Sequence, residues 1–212
     1  VYEDGTDHTA DVNADGYAIK ANVTGVNAND YDLQEIKDGK LTINQAHLHV
    51  TAANKSTTYG DVVGLTGTVA GYVNGDSSAN VNANVSYTTD GLIASKNDGV
   101  YDQTNHVQAG GYVINASVSS IGGEKGGNYV VDNTEGSKDI TNGVLTINKR
   151  VLTGTVDNTT TTYGQITELT GSGLSNIAKQ DEGKAGVSYT TVGYIDVNDN
   201  HVYEDGPDYT ED

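Results

Sequence analysis

The sequence contains no cysteine, methionine, tryptophan or phenylalanine, and its single proline is Pro207. Without cysteine, the chain forms neither disulfide bonds nor thiolate metal sites. Tyrosine, present in 14 copies, is the only aromatic residue. A core therefore has to be built from Val, Ile, Leu, Ala and Tyr, which predicts thin two-layer modules rather than one thick globule.

Basic residues are also scarce, since 11 Lys and Arg stand against 29 Asp and Glu and give a net charge of −18. This balance excludes nucleic acid as a partner, because phosphates require clustered Lys and Arg. It also excludes direct docking to an anionic membrane surface, whereas it leaves room for divalent cations as counter-ions. The sequence has no apolar run of transmembrane length, no signal peptide and no lipidation motif. Because it starts inside a polar segment, VYEDGTDHT, we expect it to be a fragment of a longer protein.

Turn residues are abundant, and 27 glycines with many Asn, Asp and Thr predict short strands joined by turns. Apolar and polar residues alternate in Ala46–Thr51, Val113–Val118 and Leu145–Ile147, as in half-buried strands. Helix is scarce: the candidates are a short helix at Leu174–Gly183 and a turn near Asp76–Val81. The sequence therefore predicts a mainly β fold.

Internal repeats organise the chain. The stretch Leu41–Gly60, LTINQAHLHVTAANKSTTYG, recurs 104 residues later at Leu145–Gly164 as LTINKRVLTGTVDNTTTTYG. The other repeated pairs are Val85–Thr89 with Val187–Thr191, Val1–Asp11 with Val202–Asp212, and Val1–Ala21 with its divergent copy Val100–Ala116. The repeating module is therefore about one hundred residues long.

These repeats predict one complete module at residues 45–148. The C-terminal half of a module precedes it at 1–44, and the N-terminal half of another follows it at 149–212. Each half lacks strands that would cover its apolar face, so we expect neighbouring modules as partners and the two halves to complement each other, within one molecule or between molecules. The joints, Gln45–Ala46 and Lys149–Arg150, contain no Gly, Pro or Ser spacer, which predicts an elongated, semi-rigid rod.

The central module contains, in order, the segments Leu48–Ala52, Thr58–Asp61 (TYGD), Gly71–Asp76 (GYVNGD), Gly111–Ile114, Asn128–Tyr129 and Gly143–Ile147. In these segments it resembles the MBG domain of the YGX type, which occurs in tandem in large bacterial adhesins and is related to mucus-binding β-grasp repeats. The last half-module departs from the pattern, with Gly154 and Gln165 at the positions of Val50 and Asp61.

The resemblance implies a β-grasp-like repeat on a secreted or cell-surface protein, with an adhesive or spacer function. One interpretation is a stalk that spaces a distal binding domain. The other is that the repeat itself binds host mucin, glycan or extracellular matrix, so that weak contacts repeated many times give avidity. Catalysis has no support, because no nucleophile motif or phosphate-binding glycine loop occurs. We therefore expect a protein that is not an enzyme.

Tyr59 and Tyr163, in the two TTYG motifs, are the candidate ligand-binding residues. Tyrosine offers a large contact area and a hydroxyl group at low entropic cost. The alternative is that each tyrosine caps the core of a chain without Phe or Trp, and that the following glycine makes the turn.

Two segments resemble the opening of a calcium-binding loop. Asp11, Asn13 and Asp15 place oxygen ligands at alternate positions before Gly16, and Asp196, Asn198 and Asn200 give a second version. The bidentate Glu expected at position twelve is replaced by Asn22. The alternative for both segments is an acidic hairpin turn.

His47 and His49 lie two residues apart, so a strand places both on one face. Such a pair could bind a transition metal. The alternative is an exposed strand face, because the next copy has Val151 and Thr153 at these positions.

Overall fold

The computed structural model describes residues 9–21, 23–27, 30–31, 36–95, 99–195 and 209–210. The protein is mainly β, as the sequence predicts. The predicted helix at Leu174–Gly183 is wrong, because this segment forms only a 3₁₀ turn at Lys179–Asp181. A second 3₁₀ turn spans Gly126–Asn128, and the turn predicted near Asp76–Val81 is confirmed. No helix of the described residues is long and apolar enough to span a lipid bilayer.

The fifteen strands of the described residues are numbered in chain order. They are β1 Tyr17–Ile19, β2 Gly39–Leu41, β3 Ala46–His47, β4 His49–Ala52, β5 Lys55–Thr58, β6 Gly67–Ala70, β7 Asn82–Thr88, β8 Leu92–Ala94, β9 Tyr101–Thr104, β10 Tyr112–Gly122, β11 Tyr129–Val130, β12 Ile140–Thr141, β13 Gly143–Asn148, β14 Tyr194–Ile195 and β15 Tyr209–Thr210.

The chain forms two compact units, each made of separate segments. Unit 1 comprises Val1–Lys55, Gly64–Asp90 and Tyr112–Leu145, and unit 2 comprises Ser56–Val63, Gly91–Gly111 and Thr146–Asp212. The predicted modules follow sequence repetition, whereas the units follow contacts, and each unit contains parts of two predicted modules. The module boundaries at residues 44 and 148 therefore stay a prediction.

Unit 1 contains the larger core. In one layer β10 pairs antiparallel with β7 and with the start of β13. In the other, β4 pairs antiparallel with β6 and parallel with β12. Leu48, Val81 and Tyr129 form a buried cluster, and Val50, Ile114 and Leu145 are also fully buried.

Strand alternation in this core follows the sequence prediction. His49 and Thr51 are exposed, while Val50 and Ala52 are buried, and β13 alternates in the same way. The pleat of a strand sends successive side chains to opposite faces, so every second residue of β4 enters the core. The half-buried strand predicted at Ala46–Thr51 is confirmed, with Leu48 between β3 and β4.

Unit 2 contains the second copy of the LTIN–TTYG stretch from Thr146 onward, and this copy is less regular. Where unit 1 has β4 and its neighbours, unit 2 has isolated bridges between Thr153 and Ser175 and between Val156 and Gly171. Leu152, equivalent to the fully buried Leu48, is 45% exposed. Within the described residues, the second copy is therefore less covered than the first.

Candidate functional site

The turn that contains Tyr59 lies in unit 2 against residues of the following predicted module. We call Thr58–Asp61 the Tyr59 turn, which is closed by a hydrogen bond of 2.8 Å from Asp61 N to Thr58 O. Gly60 has φ +88°, and a Cβ there would lie 2.5 Å from the Cβ of Ala178. Glycine is needed both for the left-handed backbone and for this close approach.

Arg150, in the predicted linker Lys149–Arg150, binds the Tyr59 turn. Its Nε donates to the backbone oxygen of Tyr59 at 2.7 Å, and its Nη2 forms an ion pair with Asp61. Its Nη1 donates to Oδ1 of Asn176 at 2.9 Å. Because its side chain is only 16% exposed, the guanidinium group is held by these acceptors rather than by water. One side chain thus connects the end of one predicted module to the beginning of the next.

A second polar connection passes through Thr104. Its backbone N–H donates to Gln180 Oε1 at 3.2 Å, and Gln180 Nε2 donates back to the backbone oxygen of Thr104 at 3.1 Å. The Thr104 hydroxyl, in a residue that is 1% exposed, accepts the N–H of Gly60 at 2.7 Å. The end of β9, the Tyr59 turn and the 3₁₀ turn of the next predicted module therefore share one hydrogen-bond network. We call these contacts, together with those of Arg150, the Arg150 joint.

A cavity of about 620 Å³ lies beside the Arg150 joint, within unit 2. The rings of Tyr59 and His106 are stacked there, with centroids 6.3 Å apart and an angle of 12° between the planes. The pKa of Tyr59 is raised mainly by a hydrogen bond to Asp181 and to a smaller extent by burial. The basic residues Lys149, Arg150 and Lys184 also line the cavity.

A comparable set of contacts occurs in unit 1, where residues of the predicted half-module 1–44 meet the central module. Lys125 Nζ lies 3.0 Å from both carboxylate oxygens of Asp11, and Asn128 Nδ2 donates to Asp11 at 2.8 Å. Asn128 Oδ1 accepts the N–H of Val12 at 2.7 Å, and Asn74 Nδ2 lies 3.3 Å from the Thr9 hydroxyl oxygen. We call this set the Asp11 joint. Its hydrogen bond from Lys125 lowers the pKa of Asp11 and raises that of Lys125.

The two joints use equivalent positions of the repeat. Asn74 and Ala178 are related by the 104-residue shift, and aligning T-D-H with T-N-H makes Thr9 equivalent to Val107. Thr9 and Asn74 line one cavity in unit 1, while Val107 and Ala178 line the cavity in unit 2. The same two regions of the module therefore line a cavity at each joint, although their side chains differ.

The first calcium candidate is occupied by protein contacts. Asp11 binds Lys125, and Asn13 Oδ1 accepts the N–H of Asp15 at 3.0 Å. Gly16 N donates to Asn13 O at 2.9 Å, so these residues form the hairpin-like turn of the alternative interpretation. Among the described residues no group of three or more His, Asp or Glu is placed to hold a metal ion. Calcium binding stays a prediction, and the second candidate, Asp196, Asn198 and Asn200, lies outside the described residues.

The two candidate tyrosines have different surroundings. Tyr59 is half-buried at the Arg150 joint, whereas Tyr163 is 73% exposed. The structure therefore brings Tyr59 to a cavity with other polar side chains, whereas most of the Tyr163 surface is exposed.

His47 and His49 face a buried carboxylate, Asp139. Their Nδ1 atoms lie 2.6 and 3.4 Å from its two oxygens. The hydrogen bond from His47, together with the backbone N–H of Asp132, lowers the pKa of Asp139. The pair thus lies on one exposed strand face, as predicted, and contacts a carboxylate of the neighbouring chain segment.

Sequence reasoning identified Tyr59 and the Lys149–Arg150 linker but missed Asn176, Gln180 and Thr104. The feature of the sequence that could have indicated this site is Arg150, a rare arginine within a linker that contains no glycine. The partners of that arginine are set by tertiary contacts, which no local pattern reveals. Comparison with known proteins gives no relative: no family model, curated sequence or solved structure matches the chain.

Proposed function

We propose that this chain is a non-catalytic repeat region of a secreted or cell-surface bacterial adhesin, and that it acts as a stalk or spacer. The observation that carries the proposal is the Arg150 joint, in which one side chain binds Tyr59, Asp61 and Asn176. The internal repeat and the resemblance to tandem MBG domains support the same function. The neighbouring modules are thus the first partners of each module.

A spacer needs joints that transmit direction, and a flexible linker does not do so. The Lys149–Arg150 linker follows β13 directly and contains no glycine or proline. Arg150 and Gln180 then add hydrogen bonds to backbone atoms of Tyr59 and Thr104. Exposed ion pairs alone contribute little, so the bonds to backbone atoms and the packing of Ala178 on Gly60 are the main stabilising contacts.

Limited trypsin digestion tests this joint, because trypsin cleaves after Lys149 and Arg150. In the native chain we expect both bonds to be cut slowly, since cleavage requires local opening. The double variant Asp61→Ala, Asn176→Ala leaves the cleavage sequence intact but removes two acceptors of Arg150. Losing two hydrogen bonds is expected to speed cleavage about tenfold or more. The products are followed by mass spectrometry.

Glu168→Gln is the control, because it also removes one negative charge from an exposed site in unit 2. It is expected to leave the cleavage rates at residues 149 and 150 unchanged. If the native chain is cut there as fast as an unstructured peptide, the linker is flexible and the spacer proposal fails.

The second candidate function is that the repeat itself binds host mucin, glycan or matrix. The cavity beside the Arg150 joint favours it, because Tyr59, a candidate ligand residue, lies in its wall. Weak sites repeated along a stalk would add through avidity.

A further inference from the structure

The cavity beside the Arg150 joint has the size of a small-molecule site. Its volume, about 620 Å³, lies within the usual range of roughly 300–1,000 Å³ for such sites. Part of its wall is apolar and is formed by Val107, Leu152, Ile177 and Ala178. Ligand sites commonly combine such apolar walls with a few polar groups that fix orientation. The chemistry of the ligand then follows from those polar groups.

The charge of the lining is opposite to that of the chain. Lys149, Arg150 and Lys184 line the cavity together with one acidic residue, Asp181, although the whole chain has a net charge of −18. A local excess of positive charge in an acidic chain attracts an anionic group.

The three cations are not equivalent. The Arg150 guanidinium is bound by Asp61. Lys184 Nζ donates to the backbone oxygen of Gln180 at 2.6 Å and lies 3.4 Å from the carboxylate of Asp181. Lys149 is exposed and has no ion pair within the described part of the chain. Lys149 is therefore the cation that can pair with a ligand without breaking an existing contact.

The remaining groups select for a hydroxylated ligand with an apolar face. The rings of Tyr59 and His106 are stacked on each other, and both residues line the cavity. Aromatic rings of this kind contact an apolar surface while polar groups at their edges bind hydroxyls. The carboxylate of Asp181 accepts hydrogen bonds, which a ligand that is only a carboxylate cannot donate.

We propose that this cavity binds an acidic sugar, with the carboxylate of the sugar on Lys149 and its hydroxyl groups on Asp181. The C–H face of the pyranose ring packs on the apolar wall at Leu152 and on the rings of Tyr59 and His106. An acidic peptide has the carboxylate but lacks the hydroxyl groups of a sugar ring. The sugar therefore contacts more of the residues that line the cavity. This site does not depend on the spacer function, because the joint is held by Arg150 whether or not the cavity is filled.

Titration of the ¹⁵N-labelled full chain with glucuronic acid tests the proposal. We expect chemical-shift changes centred on Tyr59, His106, Lys149 and the segment 177–181, saturating at millimolar concentration. Glucose is expected to give changes at least fivefold smaller, because it lacks the carboxylate. Lys149→Ala is expected to weaken glucuronic acid binding at least fivefold.

Lys138→Ala is the matched control, because it removes an exposed lysine from unit 1, and it is expected to bind like the native chain. Lys149 is exposed, so its replacement is expected to leave thermal unfolding unchanged, which separates lost binding from lost folding. The proposal is overturned if glucuronic acid shifts no signals near the cavity, if Lys149→Ala binds as well as the native chain, or if a glutamate-rich peptide binds as tightly as the sugar. The trypsin assay reports on the spacer function separately.

Discussion

Replacing Leu48 with alanine is expected to lower the free energy of unfolding of unit 1 by about 2–5 kcal/mol. Leu48 is fully buried with Val81 and Tyr129, and partly buried residues such as Val69 and Ile121 pack around this cluster. Truncation removes buried apolar surface and leaves a cavity, because neighbours fixed by strand pairing relax only in part. The loss is a large fraction of the stability of a small domain.

Urea titration followed by NMR signals of both units measures this loss and the loss in the control variant, which lies in unit 2. The matched control is Leu152→Ala, the equivalent position of the second copy, where the side chain is 45% exposed. Its replacement is expected to cost less than about 1 kcal/mol, because less surface leaves water on folding. Equal losses at the two positions would contradict the burial that distinguishes the two copies.

The strands of unit 1 could be predicted because their signal is local. In β4 and β13 every second residue is buried, and this alternation is written directly in Ala46–Thr51 and Leu145–Ile147. The helix at Leu174–Gly183 was predicted wrongly from a short polar segment, since only one turn of it forms. Short helices depend on tertiary packing, which a local pattern does not contain.

The two identical TTYG motifs lie in different surroundings. Tyr59 and Tyr163 share the sequence TTYG, yet Tyr59 is half-buried at a joint and Tyr163 is 73% exposed. The Tyr59 turn is bound by Thr104 of β9, which in turn binds Gln180 of the 3₁₀ turn, and both segments are distant from Tyr59 in sequence. The repeated sequence predicts a similar backbone conformation for the two TTYG motifs. The burial of each tyrosine, however, is set by the segments that pack against it.

The chemistry of the candidate site was even less accessible from the sequence. Arg150 was predicted as a linker residue, but its acceptor at Tyr59 lies 91 residues away. Asp11 fitted a calcium loop, but the ammonium group of Lys125, 114 residues away, binds its carboxylate. In both cases the contact that decides the role of a charged side chain comes from a distant part of the chain.

Replacing Asp139 with asparagine is expected to lower the stability of unit 1 at pH 7 by about 1–3 kcal/mol. Asp139 is 5% exposed, and its carboxylate binds His47 at 2.6 Å and the N–H of Asp132 at 2.9 Å. Asparagine keeps the shape and an acceptor oxygen but removes the charge that strengthens both bonds. The hydrogen bond from the Val50 N–H to the backbone oxygen of Asp139 is retained in this variant. It joins β4 to the segment before β12.

The effect of this replacement is expected to depend on pH in one direction. The hydrogen bond from His47 holds the pKa of Asp139 below its ordinary value, so the unfolded chain binds the proton more tightly than the native one. The stabilisation is therefore complete above the unfolded pKa of about 3.9 and is lost as the pH falls through the lower native pKa. Urea titrations at pH 7, 5, 4 and 3 are expected to show the native chain and Asp139→Asn converging only below about pH 4. Glu135→Gln, an exposed acidic residue of the same unit, is expected to match the native chain throughout. A constant difference between the native chain and Asp139→Asn down to pH 3 would show that the carboxylate charge does not stabilise this strand pairing.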